Sequence, residues 1–186
     1  MPDPHKTRSK FLSLVLRHQP DLIGITIDPA GWVSVDDLLA GCRRKGHDLS
    51  LADLEEIVHT SDKQRYAFND DKTRIRANQG HSVPVDLGHA PTAPPAVLYH
   101  GTAEKSVPGI RRDGVRKGKR HDVHLSERVD TATAVGSRHG KLVLLTVAAG
   151  RMHSDGFTFS RTPNGVWLTD HVPVEYLTFP DGATTR

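Results

Sequence analysis

The pattern of apolar positions predicts three helices in the first sixty residues. One helical stripe contains Phe11, Leu12, Val15 and Leu16. Pro20 prevents this helix from continuing, because proline cannot donate the backbone hydrogen bond that the next turn needs. Two Ser-x-x-Asp sequences, at 34–37 and 50–53, are typical of the capping boxes that begin helices. The last helix carries Leu51, Leu54, Ile57 and Val58 on one predicted face.

Short strands are predicted between and after these helices. A strand-like alternation of apolar and polar residues covers 25–33 and is interrupted by a turn at 28–31. Residues 65–68 and 73–76 flank Asn69-Asp70-Asp71-Lys72, which is a hairpin signal. Three helices followed by a hairpin is the order of elements in a winged helix, a fold that often binds nucleic acids.

The composition changes in the middle of the chain, where residues 83–96 contain four prolines. Proline fixes φ and lacks a backbone donor, so this stretch is predicted to be a linker. Beyond it, strands are predicted at 97–100, 123–126, 142–147, 166–169 and 176–179, and helices at 107–112 and 128–136. We therefore predict an α+β protein with domains at 1–82 and 97–186 and a linker at 83–96.

The charge is mildly basic, with 25 lysines and arginines against 22 acidic residues and a net charge of +3. The cations cluster at 43–45, 63–65, 111–112 and 116–121. Such clusters bind phosphates or form solvated surfaces, so charge alone leaves nucleic-acid binding open. The single cysteine excludes a disulfide framework and a cysteine-based zinc site. The chain lacks a long apolar run and a secretory signal, so we expect a cytoplasmic protein without a membrane span.

Several short polar segments could carry chemistry, and each also has an ordinary structural explanation. Arg17-His18 could simply cap the first helix, and Ser137-Arg138-His139-Gly140 could be a basic helix end closed by glycine. Tyr99-His100-Gly101-Thr102 lies at the end of an apolar strand, where its donors could approach a ribose or a phosphate or where it could form an ordinary strand-to-helix turn. His121 and His124 would face opposite sides of a strand, so we expect no metal site there.

Taken together and in chain order, these segments resemble the RNA 2′-phosphotransferase family, Tpt1 or KptA. The resemblance rests on Leu16-Arg17-His18, Lys63-x-Arg65, Gln79-Gly80-His81-Ser82, Tyr99-His100-Gly101-Thr102, Val123-His124-Leu125-Ser126 and Val166-Trp167-Leu168-Thr169. It extends from about Ser9 to Phe179. The resemblance implies an N-terminal winged-helix lobe that binds RNA and a C-terminal lobe that is similar to ADP-ribosyltransferases and binds NAD.

The resemblance also implies a reaction, in which an internal 2′-phosphate is removed from RNA, typically at a tRNA splice junction. The 2′-phosphate attacks C1″ of the nicotinamide ribose and expels nicotinamide, and the ribose 2″-hydroxyl then attacks the phosphorus. The products are 2′-hydroxyl RNA, ADP-ribose 1″,2″-cyclic phosphate and nicotinamide. NAD is a co-substrate, and no metal is expected because arginines stabilise the charge on the phosphate. We expect a monomer.

The resemblance assigns roles to individual residues of this chain. The catalytic residues are expected to be Arg17, His18, Arg65 and Arg138, which come from both lobes and would meet in the cleft between them. NAD contacts are expected from His100, Gly101, Thr102, His124, Ser126 and Val166. RNA contacts are expected from Lys63, Gln79, His81 and Ser82. Many protein ADP-ribosyltransferases carry a glutamate where this chain has Val166, and its absence favours an acceptor that is already anionic. The chain departs from the family at Ser160-Arg161-Thr162-Pro163, after Phe159, where an aromatic residue is common.

Two other functions remain open at the level of sequence. The same fold could ADP-ribosylate a terminal phosphate of a nucleic acid and stop after the first step. A winged-helix regulator that senses NAD is the non-enzymatic alternative. The phosphate-binding arginines argue against the sensor, because sensing NAD would not require them. Release of nicotinamide distinguishes the enzymes from the sensor, and the nature of the RNA product distinguishes the two enzymes.

Overall fold

The computed structural model describes residues 4–61 and 64–180, and the chain divides into two compact units. Unit 1 is Met1–Gly88 and unit 2 is His89–Arg186, so the division falls inside the proline-containing segment. Both units combine helices with strands, which confirms the α+β class. Each unit has an apolar core of its own. In the described part of the chain, no helix has the length and apolar character needed to cross a membrane.

Unit 1 packs helices against a small antiparallel sheet. Its elements are α1 (Pro4–Arg17), a 3-10 helix (Pro20–Leu22), β1 (Trp32–Ser34), α2 (Val35–Arg44), α3 (Leu51–Thr60), β2 (Tyr66–Phe68) and β3 (Arg74–Ala77). The strands are arranged in the order β1-β3-β2. Ile75 of the central strand pairs with Val33 on one side and Phe68 on the other, and it is fully buried. The predicted hairpin at 65–76 is therefore confirmed.

The predicted capping boxes begin α2 and α3. Ser34 Oγ accepts a hydrogen bond from the Asp37 N–H at 3.3 Å, and Ser50 Oγ accepts one from the Asp53 N–H at 3.1 Å. At α3 the reciprocal bond is also present, because the Asp53 carboxylate accepts from the Ser50 N–H at 2.9 Å. These bonds satisfy N–H groups that have no partner within the helix. Hydrogen bonds from Ser50, together with the Arg8 guanidinium, hold the pKa of Asp53 below its usual value.

Two predictions for unit 1 are wrong. Residues 25–27 form no strand, because the Ile25 N–H donates to the Pro20 carbonyl and belongs to the turn after the 3-10 helix. Ile25 is nevertheless buried, which explains its apolar character. Leu51 is 45% exposed instead of sharing the buried face of α3. At 100° per residue, Leu51 lies at the edge of a stripe whose centre falls between Leu54 and Ile57.

Cys42 provides a test of the unit 1 core. It is completely buried on α2, and burial raises the pKa of its thiol to about 11. The reactive thiolate is therefore scarce at neutral pH, and reagents cannot reach the sulfur. We expect iodoacetamide to alkylate Cys42 only as fast as unit 1 opens, with a large acceleration in urea. Alkylation of the native protein at the rate of a free cysteine would contradict this description of the core.

Unit 2 contains three small antiparallel sheets among its described residues. Its strands are β4 (Leu98–Ala103), β5 (Val115–Arg116), β6 (Val123–Leu125), β7 (Leu142–Val147), β8 (Ser160–Arg161), β9 (Trp167–Thr169), β10 (His171–Val172) and β11 (Leu177–Thr178). Its α-helices are α4 (Val107–Asp113), α5 (Val129–Gly136) and α6 (Ala149–Ser154). Short 3-10 helices cover Glu104–Ser106, Ser137–His139 and Val174–Tyr176. The sheets have the orders β11-β7-β4, β6-β9-β8 and β10-β5.

The predicted strands and helices of unit 2 are all present, with ends that differ by at most three residues. The sequence did not indicate β5, β8 and β10, because a strand of two residues is too short to display an alternation. It also did not indicate α6, which follows β7 almost directly and buries only Ala149 and Met152. Of the missed strands, β8 extends the sheet of β6 and β9, whereas β5 and β10 form a two-stranded sheet of their own.

The contact between α5 and β4 is made by two glycines. A Cβ on Gly101 would lie 1.8 Å from the carbonyl oxygen of Ala132, and one on Gly136 would lie 2.8 Å from the Gly101 carbonyl carbon. The helix backbone therefore rests directly on the strand backbone, which only glycine permits at these two positions. This contact fixes the middle of β4, where several candidate site residues lie.

Candidate active site

In unit 1, the end of α1 lies beside the segment that follows β3. The Ser82 N–H donates to the Arg17 carbonyl at 2.8 Å, and the Val83 N–H is 3.4 Å from the same oxygen. The ring nitrogen Nδ1 of His18 is 2.9 Å from Ser82 Oγ. The structure thus brings together two of the predicted motifs, although His18 and Ser82 are 64 residues apart in the chain.

The backbone of Arg65 belongs to the same cluster. Its carbonyl accepts a hydrogen bond from the Asn78 N–H at 2.9 Å and lies 3.5 Å from Nη2 of Arg17. Gln64, the preceding residue, has a φ of +40°, and Asn78 Nδ2 donates to its carbonyl at 2.5 Å. A non-glycine residue in this conformation is strained, so the hydrogen bond holds the chain where Arg65 enters β2. Lys63 lies outside the described residues.

Within this unit 1 cluster, the side chains differ in exposure. Arg17, Arg65 and Gln79 are half-buried, whereas His18 and Ser82 are exposed. His81 is only 2% exposed, so its ring lies inside the unit. Its burial argues against the expected direct contact with RNA and favours a role in supporting the segment. The exposed and half-buried members form a surface that carries two guanidinium groups and a histidine, which suits anionic oxygens.

In unit 2, His100 and His124 lie on neighbouring strands. His100 Nδ1 is 3.1 Å from the carbonyl oxygen of His124, and Arg120 Nη1 is 3.2 Å from His124 Nδ1. The backbones of Tyr99 and Ser126 exchange two hydrogen bonds of 2.8 and 2.9 Å, which hold β4 against the end of β6. The predicted positions 100, 124 and 126 are therefore adjacent in the structure.

The strand predicted at 97–100 is longer than the sequence indicated, and the alternative of a turn after it is wrong. β4 continues through Ala103, so His100, Gly101 and Thr102 lie within the strand. Thr102 is 9% exposed and pairs with Val143 of β7. The glycine that suggested a turn is present because α5 packs against it, and its φ is not positive. Gly101 and Thr102 therefore position His100 within the strand.

Val166 is held in a short loop before β9. The Thr162 hydroxyl accepts from the Val166 N–H at 2.9 Å, and the Thr162 N–H donates to the Val166 carbonyl at 2.9 Å. The next residue, Trp167, donates from its indole N–H to the Glu127 carboxylate at 2.7 Å. Glu127 directly follows Ser126, and Trp167 directly follows Val166. This hydrogen bond therefore connects the two segments that carry these predicted NAD contacts.

Arg138 lies on the 3-10 helix between α5 and β7. Its side chain is exposed and makes no hydrogen bond or ion pair with another described residue. An arginine with this exposure retains its full hydrogen-bonding capacity for a phosphate ligand.

The structure adds two residues that the sequence analysis did not single out, Arg120 and Glu127. Arg120 contacts His124, and Glu127 accepts from Trp167 and pairs with Arg161 at 3.3 Å. Arg120 belongs to a basic run that has no distinguishing pattern, and Glu127 immediately follows a motif that ends at Ser126. Among the described residues, no group of three or more histidine, cysteine, aspartate or glutamate side chains is arranged to hold a metal ion.

His100 should titrate below its ordinary range. Burial lowers the pKa of His100 from its ordinary value of 6.5, the Arg120 guanidinium lowers it further, and the hydrogen bond to His124 partly opposes the shift. We expect an NMR titration midpoint below 6.5 for this ring. As the pH falls through 6.5, the unfolded chain gains a proton that folded His100 resists, so His100 decreases the stability of unit 2 in acid. A midpoint above 6.5 would contradict this environment.

Comparison with known proteins shows extensive similarity. A family model described as "RNA 2'-phosphotransferase, Tpt1 / KptA family" matches residues 3–171, a range that contains every candidate site residue. A protein of Trichormus variabilis is 54% identical over 169 residues, which cover 91% of this chain and 93% of its own. One from Rhodopirellula baltica is 54% identical over 173 residues, covering 92% and 94%. One from Hahella chejuensis is 51% identical over 176 residues, covering 95% of both. All three are named "Probable RNA 2'-phosphotransferase".

Proposed function

Because the chain belongs to the RNA 2′-phosphotransferase, Tpt1 / KptA family, we propose that it removes an internal 2′-phosphate from RNA and transfers it to ADP-ribose derived from NAD. In the first step, a 2′-phosphate oxygen forms a bond to C1″ of the nicotinamide ribose, and the bond to nicotinamide breaks. In the second step, the ribose 2″-oxygen forms a bond to phosphorus, and the bond to the RNA 2′-oxygen breaks. The RNA 2′-oxygen takes up a proton, and ADP-ribose 1″,2″-cyclic phosphate is released.

Unit 1 is proposed to be a winged-helix lobe that binds the RNA. Its order α1-β1-α2-α3-β2-β3, with the antiparallel sheet β1-β3-β2, is the order of elements in that fold. Lys63, Gln79 and Ser82 are proposed RNA contacts. His81 is proposed to support them from inside the unit, since it is buried.

The phosphate is proposed to be bound by Arg17, His18, Arg65 and Arg138. Arginine suits this role because its guanidinium remains charged and can donate two parallel hydrogen bonds to phosphate oxygens. The single observation that carries the proposal is the contact of Arg17 and His18 with Ser82, since it joins two family motifs that are distant in sequence. His18, oriented by Ser82, is proposed to donate the proton to the departing RNA 2′-oxygen.

Unit 2 is proposed to be an ADP-ribosyltransferase-like lobe that binds NAD. His100, His124 and Ser126 are the proposed contacts, and their adjacency on β4 and β6 supports this assignment. Gly101 and Thr102 are proposed to act by positioning His100. Val166 is proposed to line the nicotinamide side of the site, at the position where many protein ADP-ribosyltransferases carry a glutamate. The carboxylate of Glu127 is engaged by the Trp167 indole and by Arg161.

The absence of a base at position 166 is consistent with the acceptor that we propose. A protein side chain must lose a proton before it attacks the ribose, and a glutamate can assist that step. A 2′-phosphate is already anionic at neutral pH and needs no such help. The residues of this chain therefore contribute binding and charge stabilisation, which is the main role of proteins in phosphoryl transfer.

The physiological setting is proposed from the same chemistry. An internal 2′-phosphate beside a 3′,5′-linkage is the product of a splicing-type RNA ligation, so we propose tRNA-like splice-junction RNA as the substrate. We further propose that the protein acts in the cytoplasm as a monomer without a metal cofactor. Size-exclusion chromatography and activity in the presence of a chelator test the last two statements.

The experiment that tests the proposed function combines the protein and NAD with three oligonucleotides of one sequence. They carry an internal 2′-phosphate, a terminal 5′-phosphate or neither, and nicotinamide and RNA masses are measured together. We expect nicotinamide release with the 2′-phosphate and an RNA product that has lost one phosphate. A stable ADP-ribosylated terminal phosphate as the main product would instead support an ADP-ribosyltransferase. Absence of nicotinamide with all three would support an NAD-binding regulator.

A further inference from the structure

The helix α3 is acidic, although it holds the place of the recognition helix in a winged-helix unit. In a helix-turn-helix pair, the second helix enters a groove of a duplex nucleic acid. Residues 51–60 contain Asp53, Glu55 and Glu56 and no lysine or arginine. Lys72, in the hairpin beside this helix, is already paired with Glu55 at 2.7 Å. Because these carboxylates repel phosphates, α3 is unsuited to a duplex groove.

The end of α2 carries the opposite charge. Three consecutive exposed cations, Arg43, Arg44 and Lys45, form what we call the α2 patch. The Gly46 N–H donates to the Arg43 carbonyl at 3.0 Å where the helix ends. Arg43 lies 3.9 Å from Asp48, but the two side chains are 73% and 93% exposed, so water screens this pair strongly. The patch therefore keeps most of its positive charge available to an anionic ligand.

A short turn connects the α2 patch to the proposed phosphate-binding residues of unit 1. Arg44 Nη2 donates to the Ile23 carbonyl at 2.8 Å. Ile23 directly follows the 3-10 helix Pro20–Leu22, which begins two residues after His18. The Ile23 N–H donates to the Pro20 carbonyl at 3.2 Å, so the turn has a defined course. The end of α2 thus packs against the segment that leaves α1, at whose end Arg17 and His18 lie.

We propose that the α2 patch binds backbone phosphates of the single-stranded RNA that flanks the 2′-phosphate. This inference rests on the proposed function, which supplies the RNA. A flexible single strand carries a phosphate at each nucleotide and can follow cations along a surface without entering a groove. Asp21, which lies in the connecting turn, is exposed and separates the patch from Arg17 and His18. The patch is therefore a second contact for the flanking strand and does not bind the 2′-phosphate itself.

The first test compares two single-stranded substrates with one internal 2′-phosphate, a trinucleotide and a longer RNA that extends well beyond it on both sides. The variant Arg43→Gln/Lys45→Gln removes two cations and keeps Arg44, whose contact with Ile23 belongs to the fold. We expect the KM of the longer RNA to rise about tenfold with an unchanged kcat, as for the loss of two exposed charge contacts. Both constants of the trinucleotide should equal those of the parent, which also shows that the variant is folded.

The second test measures binding of the longer RNA without NAD, by fluorescence anisotropy at several salt concentrations. Each lost contact with a single strand should reduce the slope of log affinity against log salt by about 0.7, so the double variant should differ from the parent by about 1.4. Lys105→Gln/Arg112→Gln is the matched control, because it removes two exposed cations from unit 2. The control should bind with the parent's salt dependence.

Three results would overturn the proposal. One is a double variant whose KM for the longer RNA and whose salt slope both equal those of the parent. Another is an equal rise in the KM of the trinucleotide, since the patch would then act at the 2′-phosphate. The third is an equal effect of the unit 2 control, which would indicate a general response to net charge. A parent that binds the longer RNA with the expected salt dependence but releases no nicotinamide would count against the proposed function alone.

Discussion

Replacing Gly101 by alanine is expected to destabilise unit 2 by about 3 kcal/mol or more. The new Cβ would lie 1.8 Å from the Ala132 carbonyl oxygen and 2.7 Å from its carbonyl carbon. Both atoms belong to the backbone of α5, so no side-chain rotation can relieve the clash. Either the helix or β4 must shift, and β4 is fixed along its length by pairing with β7.

The measurement uses the placement of one tryptophan in each unit. In a Trp32→Phe background, fluorescence reports on Trp167 and therefore on unit 2. We expect a lower urea midpoint for Gly101→Ala, and weaker NAD binding because His100 is its neighbour. Gly109→Ala is the matched control, since a Cβ there meets nothing within 4 Å and Gly109 lies in α4. The control should be neutral or slightly stabilising. An unchanged midpoint for Gly101→Ala would contradict the packing of α5 on β4.

Replacing Arg138 by alanine is expected to separate the two chemical steps. The first step develops positive charge on the nicotinamide ribose and uses a nucleophile that is already anionic. The second step concentrates charge on the phosphoryl oxygens, where an arginine donor is most effective. We expect the second step to slow by about 100-fold or more and the first by much less. ADP-ribosylated RNA, short-lived in the parent, should then accumulate.

A labelled 2′-phosphorylated oligonucleotide followed on a denaturing gel shows this intermediate as a slower band. Arg112→Ala is the control, because Arg112 is also an exposed arginine of unit 2 but is paired with Asp113. The control should give the parent's time course. Slow product formation by Arg138→Ala without an intermediate would assign Arg138 to substrate binding or to the first step, and its role in phosphoryl transfer would be withdrawn.

Local sequence signals predicted much of the fold because their causes are local. The Ser-x-x-Asp sequences before α2 and α3 are recognisable, since the capping hydrogen bonds connect residues three apart. β7 was predicted with its correct ends, because its six residues alternate between buried and half-buried positions. The end of β4 was predicted three residues too early, at His100, because Gly101 serves a contact with Ala132, 31 positions away, and no local pattern reveals that contact.

The candidate site was likewise predicted only in part from the sequence. The motifs around Arg17, Ser82, His100 and Ser126 were found as separate sequences, and the structure pairs them within each unit. Arg120 and Glu127 were missed because their roles depend on tertiary contacts. Arg120 is one of several exposed cations in its run, and only its distance to His124 distinguishes it. Glu127 becomes informative only when the indole of Trp167 is seen to donate to it.

The fate of the phosphorus atom tests the central claim most directly. An oligonucleotide with ³²P in a single internal 2′-phosphate is incubated with the protein and NAD, and every labelled species is separated and identified. We expect the label to leave the RNA and appear in ADP-ribose 1″,2″-cyclic phosphate, in an amount equal to the nicotinamide released. Label recovered as inorganic phosphate, or retained in the RNA at completion, would contradict the proposed transfer.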